Sequence, residues 1–548
     1  MRIITLLVGF FVSLSALAKP IQFVNVNGYT YTPQGELRTF SSIVIEDDIV
    51  LATYEPDSMQ HWPEAQTIDL AGKTMLPGLI DAHGHLLGLG DTLLKVDVRD
   101  QTSAERAAQQ VQAYAQGHPQ LRWIVGRGWN QVLWPGKQFP TAAQLDEYVS
   151  DRPVFLERVD GHAAWLNSKA LTAAGINKDS VSPPGGKIEK GPDGEPTGIL
   201  IDNAMNLVTP LLPKADDDYL SASLEAAGEH LLSVGITSMH DAGIPANVYN
   251  FYQQQATQQR MPVRVYAMLA ATEPTLLTLL QKGPVYSDDG MLSIRSVKAY
   301  GDGALGSRGA ALLAPYSDAA DNQGLLLTAE QDMKDLFDTV IGYGYQLNYH
   351  AIGDKANRYA LDQYQDTFKR VGGKALRHRI EHAQVIALTD IPRFAELSVI
   401  ASVQPTHATS DMNMAEDRLG KERLKGAYAW QRLLDAGATL AFGSDFPVEL
   451  ANPFYGLHAA VTRQDRNDQP VNGWIPEQGV TLQQAFKAFT LDAAYAAHQE
   501  HRLGTLTAGK YADFIVIDRD IFQRPASELW QVKVEQTWLA GKQVYSAQ

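Results

Sequence analysis

Eight short apolar segments, most of them separated by helical patterns, occupy the middle of this 548-residue chain. Helical periodicity is clearest between the later segments, for example at 330–341 and 355–371. Strands that alternate with helices favour a parallel sheet, and eight of them predict a (β/α)8 barrel of the α/β class. The predicted strands are 74–83, 235–241, 263–269, 294–300, 346–351, 378–383, 399–405 and 439–445.

Both ends of the chain are different in character, with short β-branched runs separated by turn residues. We therefore expect a small β-sandwich domain built from 19–75 and 502–548, and a barrel domain at 76–501. The connection after the first barrel strand is much longer than a single helical crossover needs. It contains strand-like runs of its own and a stretch rich in Pro and Gly, which predicts an inserted subdomain at about 96–234.

The first 18 residues are typical of a secretory signal peptide. Arg2 precedes an uncharged, mostly apolar run at 3–17, and a small-x-small pattern ends at Ala18. The run is shorter than the ~20 residues of a typical membrane-spanning helix, although an uncleaved anchor is the alternative. We expect a periplasmic or secreted protein that has no membrane association after cleavage.

Six polar residues fall at the predicted carboxyl ends of barrel strands, where these barrels carry their active sites. His83 and His85 are two positions apart in a strand and therefore point to the same side. Taken singly, each of the six has an ordinary structural explanation, such as a core histidine, a helix cap or a salt-bridge lysine. Together at one rim they predict a metal centre: His83, His85, Lys298, His350, His382 and Asp445.

Composition limits the ligands and the partners. The chain has no cysteine, so a transition-metal site must use histidine, carboxylate or a modified lysine. Zinc is the default metal for such a set, although nickel, manganese or iron would also fit. The net charge is −16 and no basic run is present, which argues against nucleic acid as a partner.

Seven stretches of this sequence are similar to known motifs: 70–85, 158–168, 298–310, 350–356, 379–382, 443–448 and 504–518. On these stretches the chain resembles the amidohydrolase superfamily, specifically the amidohydrolase-3 or YtcJ-like group that includes N-substituted formamide deformylases. The resemblance covers essentially the whole chain after residue 18. It implies an enzyme that hydrolyses a carbon–nitrogen bond other than a peptide bond in a small-molecule substrate.

The resemblance also implies a role for each of the six residues. His83 and His85 would bind a more buried metal ion, and His350 and His382 a more exposed one. Lys298 would be carboxylated and bridge the two ions, whereas an unmodified Lys298 would leave a one-metal site. Asp445 would bind metal and move the proton from an attacking, metal-activated hydroxide to the leaving amine.

Other residues and alternatives remain open in the sequence. His162, Asp302 and Arg308 are candidates for substrate binding, although each also has a structural explanation in its loop. The same centre would serve for a cyclic amide, a carbamate or an ester, because the fold does not choose the substrate. A non-catalytic regulator of secreted enzymes is the alternative from another class, and a homodimer is a possible assembly.

Overall fold

The computed structural model describes residues 19–99, 101–131, 134–158, 163–184, 186–213, 216–306 and 308–547. The chain forms two compact units. One joins the chain up to Gly84 with the chain from His230 onward, and the other runs from His85 to Glu229. The predicted signal peptide and His162 lie outside the described residues and remain predictions. Within the described part of the chain, no helix has the length and apolarity needed to cross a membrane.

Eight parallel strands in the first unit form a nearly closed barrel, which confirms the predicted fold class. Each strand hydrogen-bonds to the next one along the chain. Nearly all their residues are buried, as expected for parallel strands that are covered on both faces. The strands are β1 (Leu79–Gly84), β2 (Ile236–Ile244), β3 (Arg264–Ala270), β4 (Leu292–Tyr300), β5 (Gln346–Ala351), β6 (Arg379–His382), β7 (Ile400–Val403) and β8 (Leu440–Phe442).

The first predicted strand, 74–83, is wrong in one respect, because it is two strands. Thr74–Pro77 pairs with strands of the terminal β domain, and β1 begins only at Leu79. Gly78 makes the transfer between the two sheets. A Cβ there would lie 2.1 Å from the Oγ1 atom of Thr237, so the backbone approaches β2 too closely for any other residue. Both halves are apolar and buried, so the pattern of the sequence conceals the break.

The helices of the first unit follow the strands and cover the barrel. Asp354–Arg370 is typical, with an acidic residue at its start and Lys369 and Arg370 at its end, where they complement the helix dipole. The helix Asp217–Ser233 contains the boundary between the two units. The other helices of the first unit are Ala246–Thr257, Leu276–Gln281, Glu330–Gly342, Ile391–Leu397, Pro405–Asp411, Ala415–Leu424, Trp430–Asp435, Pro453–Thr462, Leu482–Ala488 and Leu491–Ala496.

The terminal β domain is a sandwich of two sheets, as predicted. One sheet contains Ile21–Val24, Ser42–Glu46, Ile49–Tyr54 and Gln66–Asp69. The other contains Asn27–Tyr31, Leu37–Phe40, Thr74–Pro77, Phe514–Ile517, Val534–Leu539 and Lys542–Ser546. Phe23, Phe514 and Trp538 pack together in the core between them. Arg264 at the start of β3 forms a buried ion pair with Asp513, and this pair ties the barrel to the sandwich.

The second unit has its own six-stranded sheet and its own core. Its tryptophans Trp129, Trp134 and Trp165 pack on one another, and their indole N–H groups donate to backbone carbonyls. Their burial assigns them to the core of this unit. The strands are Val96–Asp97, Ile124–Trp129, Val154–Arg158, Ala163–Leu166, Gly186–Lys190 and Pro196–Asp202, and the helices are Leu86–Leu93, Ala104–Gly117, Ala142–Asp146 and Ser168–Ala173.

Candidate metal centre

Imidazole rings from three barrel strands meet at the carboxyl end of the barrel. The ring centroid of His382, on β6, lies 5.0 Å from that of His83 on β1 and 4.5 Å from that of His350 on β5. Lys298 on β4 places its Nζ atom 3.3 Å from Nε2 of His83. Asp445 follows β8 by three residues, and its Oδ1 atom is 3.6 Å from the same Nε2.

Two groups of potential ligand atoms share the Asp445 carboxylate. The ligand atoms of His83, His85 and Asp445 lie within 4.8 Å of one another, and so do those of His382, His407 and Asp445. His85 comes two residues after His83, so the chain itself brings it close to β1. The Oδ2 atom of Asp445 is 3.7 Å from Nε2 of His407, whereas its Oδ1 atom is 3.6 Å from Nε2 of His83. The carboxylate therefore approaches one imidazole of each group with a different oxygen.

Hydrogen bonds fix which ring nitrogens face this centre. The Nδ1 atom of His83 is 2.6 Å from Oε2 of Glu381, and both side chains are fully buried. The Nδ1 atom of His382 is 2.8 Å from the Oε1 atom of Gln404. With Nδ1 donating to these oxygens, the Nε2 atom of each ring is left without a proton and is able to bind a cation.

Burial keeps these imidazoles neutral. It is the main cause that lowers the pKa of His83, lowers that of His382 well below its ordinary value, and lowers that of His350 to about 3. Burial alone would raise the pKa of Glu381, but His83 and the nearby cations outweigh it, so that carboxyl is ionised. Only neutral imidazole binds a metal, so the protonation states suit a cation site.

Lys298 is almost completely buried beside His83. Burial is the largest effect on its amine and lowers its pKa, against the opposing charges of Glu381 and Asp445. In the register of the barrel it pairs with Asn348, whose side-chain amide is buried and has no hydrogen-bond partner among the described residues. A buried amine with a lowered pKa spends more time neutral, which is the form that reacts to give a carbamate.

Asp81 joins the two ends of the barrel sheet at the site. It accepts hydrogen bonds from the hydroxyl and backbone N–H of Ser444 and from the backbone N–H of His83. The N–H of Asp445 in turn donates to the carbonyl of His83 at 2.7 Å. The chain approaches so closely that a Cβ at Gly443 would lie 2.5 Å from the nitrogen of His83. This clamp fixes Asp445, at φ +61°, against β1.

Two of the three additional site candidates, Asp302 and Arg308, lie within the described residues and have different surroundings. Asp302 is buried and accepts N–H groups from Ala311, Ile352 and Gly353, which organises its loop. Its Oδ1 atom is 3.5 Å from Nε2 of His350. Arg308 forms an ion pair with Asp318. His162 lies outside the described residues.

The donor set fits a divalent cation. The Nε2 atoms of His350 and His407 are sealed from solvent and have no hydrogen-bond partner among the described residues. Buried polar atoms in proteins nearly always have a partner, so these two nitrogens, each with a carboxylate oxygen 3.5 to 3.7 Å away, are informative. Imidazole and carboxylate ligands with no thiolate are suitable for zinc and for other first-row divalent ions.

Sequence reasoning missed four residues of this site. His407, in the helix after β7, joins the second ligand group in place of His350. Glu381 and Gln404 orient ligand rings, and Asp81 forms the clamp. A signal was present for three of them, since Asp81 and Glu381 lie in the recognised stretches 70–85 and 379–382, and His407 follows a barrel strand by four residues.

Comparison with known proteins places this arrangement in context. The model of the amidohydrolase family matches residues 66–545. Protein LONG AFTER FAR-RED 3 from Arabidopsis thaliana is 35% identical over 95% of this chain and 91% of its own length. The putative amidohydrolase YtcJ from Bacillus subtilis is 31% identical over 94% and 98%. The N-substituted formamide deformylase from Arthrobacter pascens is 26% identical over 87% and 90%.

Solved structures share the fold. An uncharacterised metal-dependent hydrolase from Pyrococcus furiosus superimposes with a TM-score of 0.73 and 28% identity, over 91% of this chain and 99% of that one. The match of the family model includes the whole barrel and the strands of the terminal sandwich from Gln66–Asp69 onward.

Proposed function

This chain belongs to the amidohydrolase family, and from that membership and the geometry of the centre we propose that it hydrolyses a non-peptide C–N bond. The substrate class that we propose is an amide of the N-acyl or N-formyl type. The deformylase named above supports this choice, because its name gives an N-substituted formamide as its substrate. The observation that carries the proposal is the carboxylate of Asp445, which belongs to both groups of ligand atoms and has one oxygen 3.6 Å from Nε2 of His83 and the other 3.7 Å from Nε2 of His407.

Divalent metal, with zinc as our first choice, would be held by these side chains. His83 and His85 with Asp445 would form one position, and His382 and His407 with Asp445 a second one. His350 is close enough to His382 to contribute to the second position. When bound, such ions polarise a substrate carbonyl and make water acidic enough to act as a nucleophile near neutral pH.

Asp445 is the group that we propose to move the proton. Its Oδ1 atom faces His83, and its Oδ2 atom faces His407. A carboxylate at this position accepts a proton from the attacking water and delivers it to the leaving nitrogen, as general base and then general acid. The clamp through Asp81 and Ser444 keeps it in place for both transfers.

We further propose that Lys298 carries a carboxyl group on its Nζ atom. A free ammonium repels a cation, whereas a carbamate offers two anionic oxygens. The distance of 3.3 Å from Nζ to Nε2 of His83 supports this proposal, because a carbamate on Nζ would reach the first ligand group. The expected sign is a mass increase of about 44 Da on Lys298 in the native protein, in line with the added CO2.

Export and assembly are also proposals. The apolar run at 3–17, with the small residues before Lys19, supports cleavage and a periplasmic or secreted location. N-terminal sequencing of the mature protein tests this, since cleavage predicts a start near Lys19. We also propose that the protein is a homodimer, which light scattering tests, and that its substrate is a small molecule.

The test of the function is a screen of the purified full chain against N-formyl and N-acyl amines, with cyclic amides, carbamates and esters as comparison sets. Asp445→Asn keeps the shape of the side chain and removes the proton acceptor, so we expect a loss of at least 100-fold in kcat. Activity that is undiminished in Asp445→Asn, or a chain that hydrolyses none of these compounds, would contradict the proposal. The second outcome would favour a regulatory protein.

A further inference from the structure

A cavity with several basic side chains in its lining lies in the barrel unit, away from the metal centre. It has a volume of about 230 Å³, and its lining includes Ser293 and Arg295 from the first half of β4. Lys298 follows these residues on the same strand. At about 3.3 Å per residue, Arg295 is roughly 10 Å and Ser293 roughly 16 Å from Lys298 along the strand. The cavity is therefore near the amino end of β4, whereas the metal ligands are at the carboxyl end of the barrel.

The cavity is cationic in a protein that is acidic overall. Arg295 and Arg502 line it together with His498 and His501, and none of the described lining residues is acidic. The chain as a whole has a formal charge of −16. A cavity with two guanidinium groups and no carboxylate is therefore opposite in character to the average surface of this chain.

Arg295 and Ser293 present donors for which the described part of the protein supplies no acceptor. The Nε atom of Arg295 and the Oγ atom of Ser293 are sealed from solvent and make no hydrogen bond. Most buried polar groups in folded proteins are hydrogen-bonded, so these two atoms are unusual. Because both are sealed, a ligand in the cavity would meet Arg295 through the terminal nitrogens of its guanidinium, which are not among the sealed atoms.

Carboxylates next to the cavity in sequence are already engaged elsewhere. Glu500 forms two hydrogen bonds with Arg377, at 2.7 and 2.8 Å. Asp289 accepts from the hydroxyl of Ser287 and from the N–H of Met291. Neither acid is therefore available to neutralise Arg295.

The electrostatic field in the cavity agrees with this description. Burial is the main cause that lowers the pKa of His498 to about 4, and the positive charges of Arg295 and Arg377 lower it further. Its Nε2 atom is 3.0 Å from the carbonyl of Leu376, which orients the neutral ring. The site therefore repels protons and attracts negative charge.

We propose that this cavity binds a small oxyanion, a carboxylate or a phosphate, on the guanidinium groups of Arg295 and Arg502. Guanidinium groups suit these ligands because their planar N–H donors match paired oxygens. The volume of about 230 Å³ admits an ion of this size with part of a substituent. The proposal does not depend on the hydrolase function, because none of these residues belongs to the metal centre.

Isothermal titration of the full chain with inorganic phosphate, and separately with acetate, tests the proposal at an ionic strength held constant with chloride. We expect saturable binding that becomes at least tenfold weaker in Arg295→Gln and in Arg502→Gln. Arg524→Gln is the matched control, because Arg524 is exposed and its side chain has no partner among the described residues. Anion binding at the metal centre would not respond to either cavity variant, so the comparison separates the two sites.

The arms of the titration identify the ligand chemistry. Binding of phosphate, of acetate or of both, if it is weakened in the two cavity variants, supports the site and shows which of the two oxyanions it accepts. Absence of saturable binding for both ions, or binding that Arg502→Gln leaves unchanged, overturns it. Arg502 is exposed, so this variant is expected to fold, and circular dichroism verifies that Arg295→Gln also folds. If Arg295→Gln does not fold, Arg502→Gln decides the result.

Discussion

Replacement of Glu381 by Gln tests how the centre is built. Glu381 holds Nδ1 of His83 at 2.6 Å with both side chains fully buried, so the bond is charge-assisted and not weakened by water. A hydrogen bond to a charged group contributes about 1.5–3 kcal/mol, against about 0.5–1.5 for a neutral one. The loss of the charge thus removes roughly 1–1.5 kcal/mol from the orientation and basicity of His83.

That difference corresponds to roughly a tenfold fall in metal affinity, since about 1.4 kcal/mol is tenfold. It matches the range of about 10–100-fold found when such outer partners are changed. We expect Glu381→Gln to bind zinc about tenfold more weakly in competition with a chromophoric chelator. Glu381→Ala, which removes the acceptor altogether, is expected to lie at the upper end of that range.

Two measurements make this prediction specific. Glu396→Gln removes the same charge at an exposed position in the helix Ile391–Leu397, and its metal affinity should equal that of the unmodified protein. The Tm of the metal-free variants reports any loss of stability, because the other oxygen of Glu381 lies 4.0 Å from the guanidinium of Arg379. Zinc affinity within twofold of the parent value in both Glu381 variants would refute the orienting role.

Three further predictions concern other parts of the molecule. Asp513→Asn leaves Arg264 buried without its counter-ion and should cost about 3–5 kcal/mol, seen as a lower urea midpoint, whereas the apolar pair Arg264→Met with Asp513→Leu should lose less. His407→Gln should reduce the metal bound per chain in elemental analysis without changing the Tm of the metal-free protein, and an unchanged metal content would exclude His407 as a ligand. Burial lowers the pKa of His378 to about 3, so the unfolded chain takes up the proton first, and stability should be full above about pH 6.5 and fall as the pH drops towards 3. The slope of Tm between pH 7 and pH 5 should therefore be shallower in His378→Asn, and an equal slope would show that His378 does not contribute.

The barrel could be predicted because its signal is repeated eight times. Parallel strands are buried on both faces, so each one appears in the sequence as an apolar run between helices. The rule that active sites lie at strand ends then brings His83, Lys298, His350 and His382 near one rim. Geometry alone supplied this part, because the position of a residue at a strand end does not depend on the details of loops.

The rest of the site could not be predicted, because it depends on contacts that leave no periodic pattern. His407 lies in the first turn of a short helix, where a single histidine has no recognisable spacing. Glu381 and Asp81 are carboxylates inside strands, and only the fold shows that they face a ring nitrogen and the loop after β8. The partner of Arg308 is an aspartate ten residues along an irregular loop. The break at Gly78 is likewise hidden, since its cause is the contact with Thr237.

Hydrolysis by the metal-free and the zinc-reloaded protein tests the central claim most directly. The full chain is stripped with a chelator, and its rate on the best N-formyl or N-acyl amine is measured before and after zinc is returned. We predict that stripping abolishes the activity and that it returns as one or two zinc ions bind per chain. A stripped protein that hydrolyses the substrate at the original rate, or a reloaded protein that binds no zinc, would contradict the account.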